Sequence, residues 1–245
     1  MRALLKRFLT WLGGHLPESL VWKLHMAGKH VHAGWWMKDH NFSCAVRVRN
    51  REQVIEAMAR PIADKRVLYL EFGVFQGGSM RQWVKWLKNP GSKLRGFDSF
   101  EGLPEYWSGW TKKGELTVGG VIPNIPDERV RFIKGWIEDT LPVYQVEEHE
   151  VLVIFIDTDL YSSTYFILKH LQDYFKVGTL FYFDEFAVVE HELQAFENFM
   201  RESPMKFELI ASDSGMMNAA IPRRVEGEAD LGQGGVLPQR RGDRV

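Results

Sequence analysis

The chain has 245 residues, nearly balanced charge (31 Lys and Arg against 32 Asp and Glu, formal net charge −1) and one cysteine. That length accommodates one α/β domain with appendages, and the neutral balance offers no electrostatic case for nucleic acid. The lone Cys44 excludes an internal disulfide and points to a reducing cytoplasm, while no apolar run reaches the roughly 18 residues that span a bilayer.

Leu4, Leu5, Phe8, Leu9 and Leu12 recur at helical spacing, with Arg2, Lys6 and Arg7 elsewhere on the wheel. No small-residue cleavage site follows cleanly, so the segment does not read as a signal peptide. Such a stripe must find a partner: the rest of the chain, a second subunit or an anionic membrane surface. With only three basic residues, protein packing is favoured, as a homo-oligomer contact or as a cap over a substrate cleft. Gly13-Gly14 ends this helix and Pro17-Glu18 starts another. Between Gly28 and Asn50 stand His30, His32, Trp35, Trp36 and His40 without a clear period. Cys partners and zinc spacing are absent, so these histidines read as solvated or packed. A further helix is expected over Glu52–Arg60.

Strands are then expected at Val67–Phe72, Leu94–Asp98, Val130–Lys134, Val151–Asp157 and Thr179–Asp184, mostly continuous apolar runs of the kind covered on both faces. Helices alternate with them around Ser79–Leu87, Ser162–Phe175 and Glu190–Arg201. Lys206–Ala211 and Met217–Ile221 read as a closing hairpin around Asp213-Ser214-Gly215. The expectation is a seven-stranded, doubly wound α/β sheet: parallel strands, a C-terminal antiparallel hairpin and a helical N-terminal extension. The chain divides into that extension (1–60), the α/β domain (61–222) and a Gly-rich tail (223–245) expected to be disordered.

Ligands of open parallel sheets bind at the carboxyl ends of the strands. From Val67 to Ser79 a buried strand runs into a glycine turn and a helix, with Glu71 at the strand end and Gly73, Gly77 and Gly78 behind it. Glycines there supply unusual dihedrals and let a ligand approach the backbone. The spacing matches neither the dinucleotide fingerprint nor the Walker loop; it resembles the first motif of class I S-adenosylmethionine (SAM) methyltransferases. The second strand ends at Asp98, whose carboxylate can accept from two vicinal ribose hydroxyls or close a turn. After the third, Trp136, Glu138 and Asp139 could flank an adenine. The next two strands end in Ile156-Asp157-Thr158-Asp159 and Phe183-Asp184-Glu185. Adjacency would bring Asp157, Asp159, Asp184 and Glu185 into one crevice with no Lys or Arg in those segments. A hard divalent cation such as magnesium would relieve their repulsion, though helix capping accounts for part of the pattern.

Five segments occur in order: Glu-Phe-Gly-Val-Phe-Gln-Gly-Gly-Ser from Glu71, Phe-Asp-Ser-Phe-Glu-Gly-Leu-Pro-Glu from Phe97, Gly-Trp-Ile-Glu-Asp-Thr-Leu-Pro from Gly135, Ile-Asp-Thr-Asp-Leu-Tyr-Ser-Ser-Thr from Ile156 and Phe-Asp-Glu-Phe from Phe183. Together they resemble the macrocin O-methyltransferase family, SAM-dependent enzymes that methylate sugar hydroxyls of natural products. The resemblance spans about Val67 to Ala211 and implies a Rossmann-like fold with magnesium beside the methyl donor. It places Glu71, Gly73 and Ser79 on the methionine side, Asp98 at the ribose and Trp136, Ile137 and Glu138 at the adenine. Val74, Gly77, Ser99 and Asp157 are counted with the cofactor site. It makes Asp157 both metal ligand and base, with Asp184 and Glu185 completing the metal set; the family carries Asp-Asp where this chain has Asp184-Glu185.

The expected reaction is methyl transfer to a hydroxyl of a saccharide or glycosylated metabolite. Alternatives on this scaffold are N-methyl transfer, catechol-type O-methyl transfer, or SAM binding without turnover. Besides Asp157, Asp159 is a candidate base, and His191 a secondary one. Tyr106, Trp107 and Trp110 sit in a long connection from Glu101 to Arg129, a candidate lid over the substrate.

Overall fold

The computed structural model describes residues 2–42, 46–107, 111–187, 190–213 and 220–225, with side chains at 220–222 excepted. Cys44, Trp110, Ser214-Gly215, Met217 and the tail from residue 226 lie outside the described residues.

Two helices open the chain, α1 (Arg2–Gly13) and α2 (Glu18–Asp39), followed by strand β1 (Val46–Val48) and helix α3 (Arg51–Ala59). Strand and helix then alternate: β2 (Val67–Phe72), α4 (Gly78–Trp86), β3 (Lys93–Asp98), β4 (Val130–Lys134), α5 (Ile137–Thr140), β5 (Val151–Ile156), α6 (Tyr161–Leu171), β6 (Leu180–Phe183), α7 (Glu192–Glu202), β7 (Lys206–Asp213) and β8 (Ala220–Val225). One eight-stranded sheet has the order β1-β7-β8-β6-β5-β2-β3-β4. Only β8 is antiparallel to its neighbours, β6 and β7; the other pairs are parallel.

The expected sheet is there with one strand more. Val46–Val48 lies parallel to β7 at the sheet edge, so the segment expected as a purely helical extension contributes to the sheet. Three residues next to an undescribed stretch are too few to show a period-two pattern. Asp213, expected in the hairpin turn, ends β7 opposite Val48, and β8 runs on to Val225, beyond the boundary at 222.

Alternation of side chains sends the odd and even residues of each strand into different layers. In β5, Leu152, Ile154 and Ile156 join the layer under α2, α6 and α7, while Val153 and Phe155 join the layer under α3 and α4. Both faces are covered, which is why the run reads as unbroken apolar sequence. The helix α2 continues through the segment where no period was visible. Its contact with the core is the stripe Lys29, Ala33, Trp36 and Met37, whereas Val31 and Trp35 on the other side remain exposed. Trp36 fills the gap to the sheet layer, with ring centres 5.3 Å from Phe42 and 5.6 Å from Phe186. By contrast α1 buries none of its residues.

Candidate active site

A cavity of about 340 Å³ opens at the carboxyl ends of β2, β3, β4, β5 and β6, within the ~300–1,000 Å³ usual for small-molecule sites. Its wall follows the turns after these strands: Gly73 and Phe75, then Asp98 and Ser99, then Trp136, Ile137 and Glu138, then Asp157 to Leu160, and Glu185. Gly73 is where the first turn leaves the sheet. Its φ is +85°, and a Cβ there would stand 1.9 Å from the Asp157 carbonyl oxygen, so no side chain fits. The turn ends at Gly77, left-handed at φ 75°, which caps α4.

Of the residues expected at the cofactor, Gly73, Asp98, Ser99, Trp136, Ile137, Glu138 and Asp157 line this cavity, while Glu71, Val74, Gly77 and Ser79 do not. Alternation explains Glu71. It points with Tyr69 toward α4, fully buried, where it accepts hydrogen bonds from the Tyr69 hydroxyl at 3.1 Å and from the Ser79 hydroxyl. Burial pushes its pKa up to about 8, with Asp157 adding to the rise. Glu71 therefore ties β2 to the first turn of α4 beneath the site. Asp98 does reach the cavity, yet it also closes the glycine turn. Its Oδ2 accepts from the backbone N–H groups of Val74 and Phe75, both at 2.8 Å, and Oδ1 from that of Phe100 at 2.7 Å. A carboxylate offers about four acceptor positions, which leaves one for a ligand hydroxyl. Glu138 is oriented by the Ser163 hydroxyl at 3.0 Å.

The carboxylates of the fourth and fifth strand ends converge as expected, but with a cation that the local sequence does not contain. Arg51, the first residue of α3, donates through Nη2 to Asp157 Oδ2 at 2.6 Å and lies with Nε 3.1 Å from Asp184 Oδ1. Burial alone would lower the Arg51 pKa; the neighbouring Asp157 and Asp184 carboxylates outweigh it and raise it. Burial raises the pKa of Asp157 and Asp184 in spite of Arg51, and that of Glu185 to about 7. Asp159 has a positive φ of 62°, an unusual conformation for a residue with a side chain. Its pKa is raised to about 8 by burial first, then by Asp157, Glu185 and Asp184, with no hydrogen bond among the causes.

Two participants had no local signal. Arg51 is 106 positions from Asp157, so no motif spacing could link them. Glu192 is fully buried in α7, with Oε2 accepting from the Glu185 backbone N–H at 3.0 Å. Its pKa is raised well above the ordinary value by burial first and then by Asp159, Asp184 and Asp157, and its carboxyl braces the Glu185 turn. His191, the secondary base candidate, does not line the cavity, and burial lowers its pKa.

A divalent magnesium ion needs oxygens free to converge at ~2.0–2.1 Å. Here Asp157 and Asp184 face the Arg51 guanidinium. Among the described residues no group of three His, Cys, Asp or Glu side chains is arranged to hold a metal ion. The expected set of Asp157, Asp184 and Glu185 does not fit the ion as placed. The long connection after β3 does fold over the cavity: Leu103, Pro104, Trp107 and Leu116 line it, while Tyr106 stays outside. Its two arms are tied by Leu103 N–H to Glu115 O and Gly114 N–H to Leu103 O, both 2.9 Å.

Fold and cavity together define an α/β protein with a small-molecule cavity at the carboxyl ends of a mostly parallel sheet. Among solved structures it is similar to the O-methyltransferase NovP, with a TM-score of 0.57 at 22% identity, covering 83% of this chain and 99% of that one. It is similar to a calicheamicin methyltransferase with a TM-score of 0.54 at 20% identity, covering 70% and 77%. At these identities the likeness is one of fold. The macrocin-O-methyltransferase (TylF) family profile matches residues 124–217, which bears out the resemblance over the last three of the five motifs.

A Streptomyces olivaceus protein, 8-demethyl-8-(2,3-dimethoxy-alpha-L-rhamnosyl)-tetracenomycin-C 4'-O-methyltransferase, is 29% identical over 139 residues, 49% of this chain and 52% of that one. The demethyldecarbamoylnovobiocin O-methyltransferase of Streptomyces niveus is 32% identical over 87 residues, 36% of this chain and 32% of that one. The chain thus spans about half the length of the first relative and a third of the second.

Proposed function

We propose that this chain is a SAM-dependent O-methyltransferase whose acceptor is a hydroxyl of a saccharide or glycosylated small molecule. The observation that carries this is the cavity in which the Gly73 turn, Asp98 and the Trp136–Glu138 segment face the Asp157–Asp159 strand end. The rhamnosyl group in the name of the Streptomyces olivaceus relative supports the sugar class of acceptor. A cytoplasmic setting goes with this reading, supported by the single cysteine; no described helix is long and apolar enough to cross a membrane.

Gly73, Asp98, Trp136, Ile137 and Glu138 would hold SAM, with the remaining acceptor position of Asp98 for a ribose hydroxyl. When bound, SAM supplies an electrophilic methyl group on a sulfonium. The chain must align the acceptor, exclude water and take a hydroxyl proton. Trp107, Leu103 and Leu116 exclude water from above. For the proton, Asp159 suits better than Asp157, whose Oδ2 is bonded to Arg51. Asp159 lines the cavity, and a carboxylate with its pKa near 8 is a stronger base than an ordinary one. Magnesium has no step in this reading, because Asp157 and Asp184 are already bonded to Arg51.

Calorimetry with SAM tests the cofactor, and isotope-labelled SAM incubated with cell extract identifies the acceptor. Absence of SAM binding would sink the reading; label on an amine or a catechol would redirect it to another acceptor.

A further inference from the structure

Arg51 stands where α3 gives no reason for it. A cation in the first turn of a helix faces the positive end of the helix dipole, and α3 is already capped by the Asn50 side chain, which accepts from the Gln53 N–H at 3.0 Å. What holds Arg51 is the sheet face that α3 covers and the strand ends beside it. Two of its nitrogens engage carboxylates from adjacent strand ends, Asp157 at 2.6 Å and Asp184 at 3.1 Å. Its Cζ lies 5.8 Å from the Phe155 ring centre and 5.9 Å from that of Tyr182, within the distance at which aromatic faces attract cations. These two rings stack on each other at 3.9 Å, and the Tyr182 hydroxyl donates to Asp184 Oδ1 at 2.6 Å. The guanidinium is thus held by two acids and a two-ring platform, and the second acid is itself oriented by one of those rings.

We infer that Arg51 is the resident cation of this crevice, held between Asp157 and Asp184 where a divalent metal would otherwise bind, so that the site works without a metal ion. A magnesium ion at ~2.0–2.1 Å from the oxygens that Arg51 engages would stand against a fixed positive charge, which opposes its binding. Arg51 is a positioning residue: it bonds to two carboxylates, fixes their direction and leaves Asp159 free toward the cavity. Its catalytic consequence rests on the proposed methyl transfer; its occupation of the cation position does not.

The test uses the full chain and manganese(II), which enters magnesium sites and whose free-ion paramagnetic resonance signal disappears on binding. Wild-type protein is expected to leave that signal unchanged. Arg51→Met, shown folded by its circular dichroism and melting, is expected to withdraw about one equivalent of manganese, and Asp184→Asn added to it to abolish the gain. Manganese bound by the wild type overturns the inference, and so does a folded Arg51→Met that gains none. Arg51→Gln replaces Arg51→Met if the latter does not fold, and the wild-type spectrum decides alone should neither fold. Failure of the wild type to bind SAM would sink the methyl-transfer reading and leave the manganese result standing.

Discussion

Asp159 and Asp98 separate two kinds of acid that look alike as residues at strand ends. The Asp159 carboxyl is buried beside three other acids and carries a pKa near 8, so at neutral pH most of it is protonated. A base must be ionised to act, and kcat/KM is expected to rise with pH through about 8, since that ratio reports the free enzyme. Asp159→Asn should retain SAM binding by calorimetry while turnover falls roughly 10²–10⁴-fold, the usual contribution of a positioned base. Wild-type turnover in that variant would move the role to Asp157. Asp98 is different, because three backbone N–H groups of the turns depend on it. Asp98→Ala should lower unfolding free energy by roughly 2–3 kcal/mol, the scale of hydrogen bonds to a charged group, and weaken SAM in parallel. Lost SAM affinity with an unchanged denaturation midpoint would assign Asp98 to the ligand alone. From sequence Asp98 was open between gripping a ligand and closing a turn; its three backbone hydrogen bonds establish the turn role.

Among the elements, the glycine turn and α1 mark the two extremes of constraint. Gly73→Ala would place a methyl group 1.9 Å from the Asp157 carbonyl oxygen in a left-handed backbone. The left-handed conformation alone costs about 1–2 kcal/mol and overpacking about 1–3 more. The variant should therefore melt well below wild type or fail to fold, and an unchanged melting curve would show that β2 and β5 can separate. In α1 nothing is buried, and Leu4, Leu5, Phe8, Leu9 and Trp11 are each more than half exposed. Deleting residues up to Gly14 should leave both the melting temperature and SAM affinity unchanged; a drop in either would show that α1 packs on the domain. Among the described residues α1 has none buried, as a cap packed on the cleft would require, and sedimentation of full-length against truncated chain reads whether a second copy covers the stripe. The periodic α1 and the unbroken apolar runs of the core strands could be read from the residues. The elements that could not be read drew their definition from tertiary contact: α2 beyond Gly28 from the Trp36 socket, and β1 from its pairing with β7.

At the scale of the whole molecule, the parallel sheet gathers acids from distant segments into one low-dielectric region, and a single guanidinium from α3 bonds to two of them while offsetting one charge. This gathering was legible in the order of the strand ends. Its balance was not, because Arg51 and Glu192 enter from helices outside the motifs. The consequence is a stability that depends on pH in a definite direction. Glu71 has a folded pKa of about 8 against 4.5 ordinarily, and Asp159 and Glu185 shift the same way, to about 8 and 7. The folded chain therefore binds these protons more tightly than the unfolded chain does. Their contribution to stability is complete below about pH 4.5 and is lost as pH rises through 7 to 8. Melting temperature should accordingly fall between pH 5 and pH 8 by more than the ~2–4 °C that one kcal/mol is worth in a chain of this size. Glu71→Gln keeps an uncharged side chain between the Tyr69 and Ser79 hydroxyls and should flatten that slope without touching the cavity wall. A wild-type midpoint that stays level or climbs from pH 5 to pH 8, or a Glu71→Gln profile parallel to wild type, would mean that Glu71 is ionised in the folded protein and that a counter-charge reaches it beneath the glycine turn.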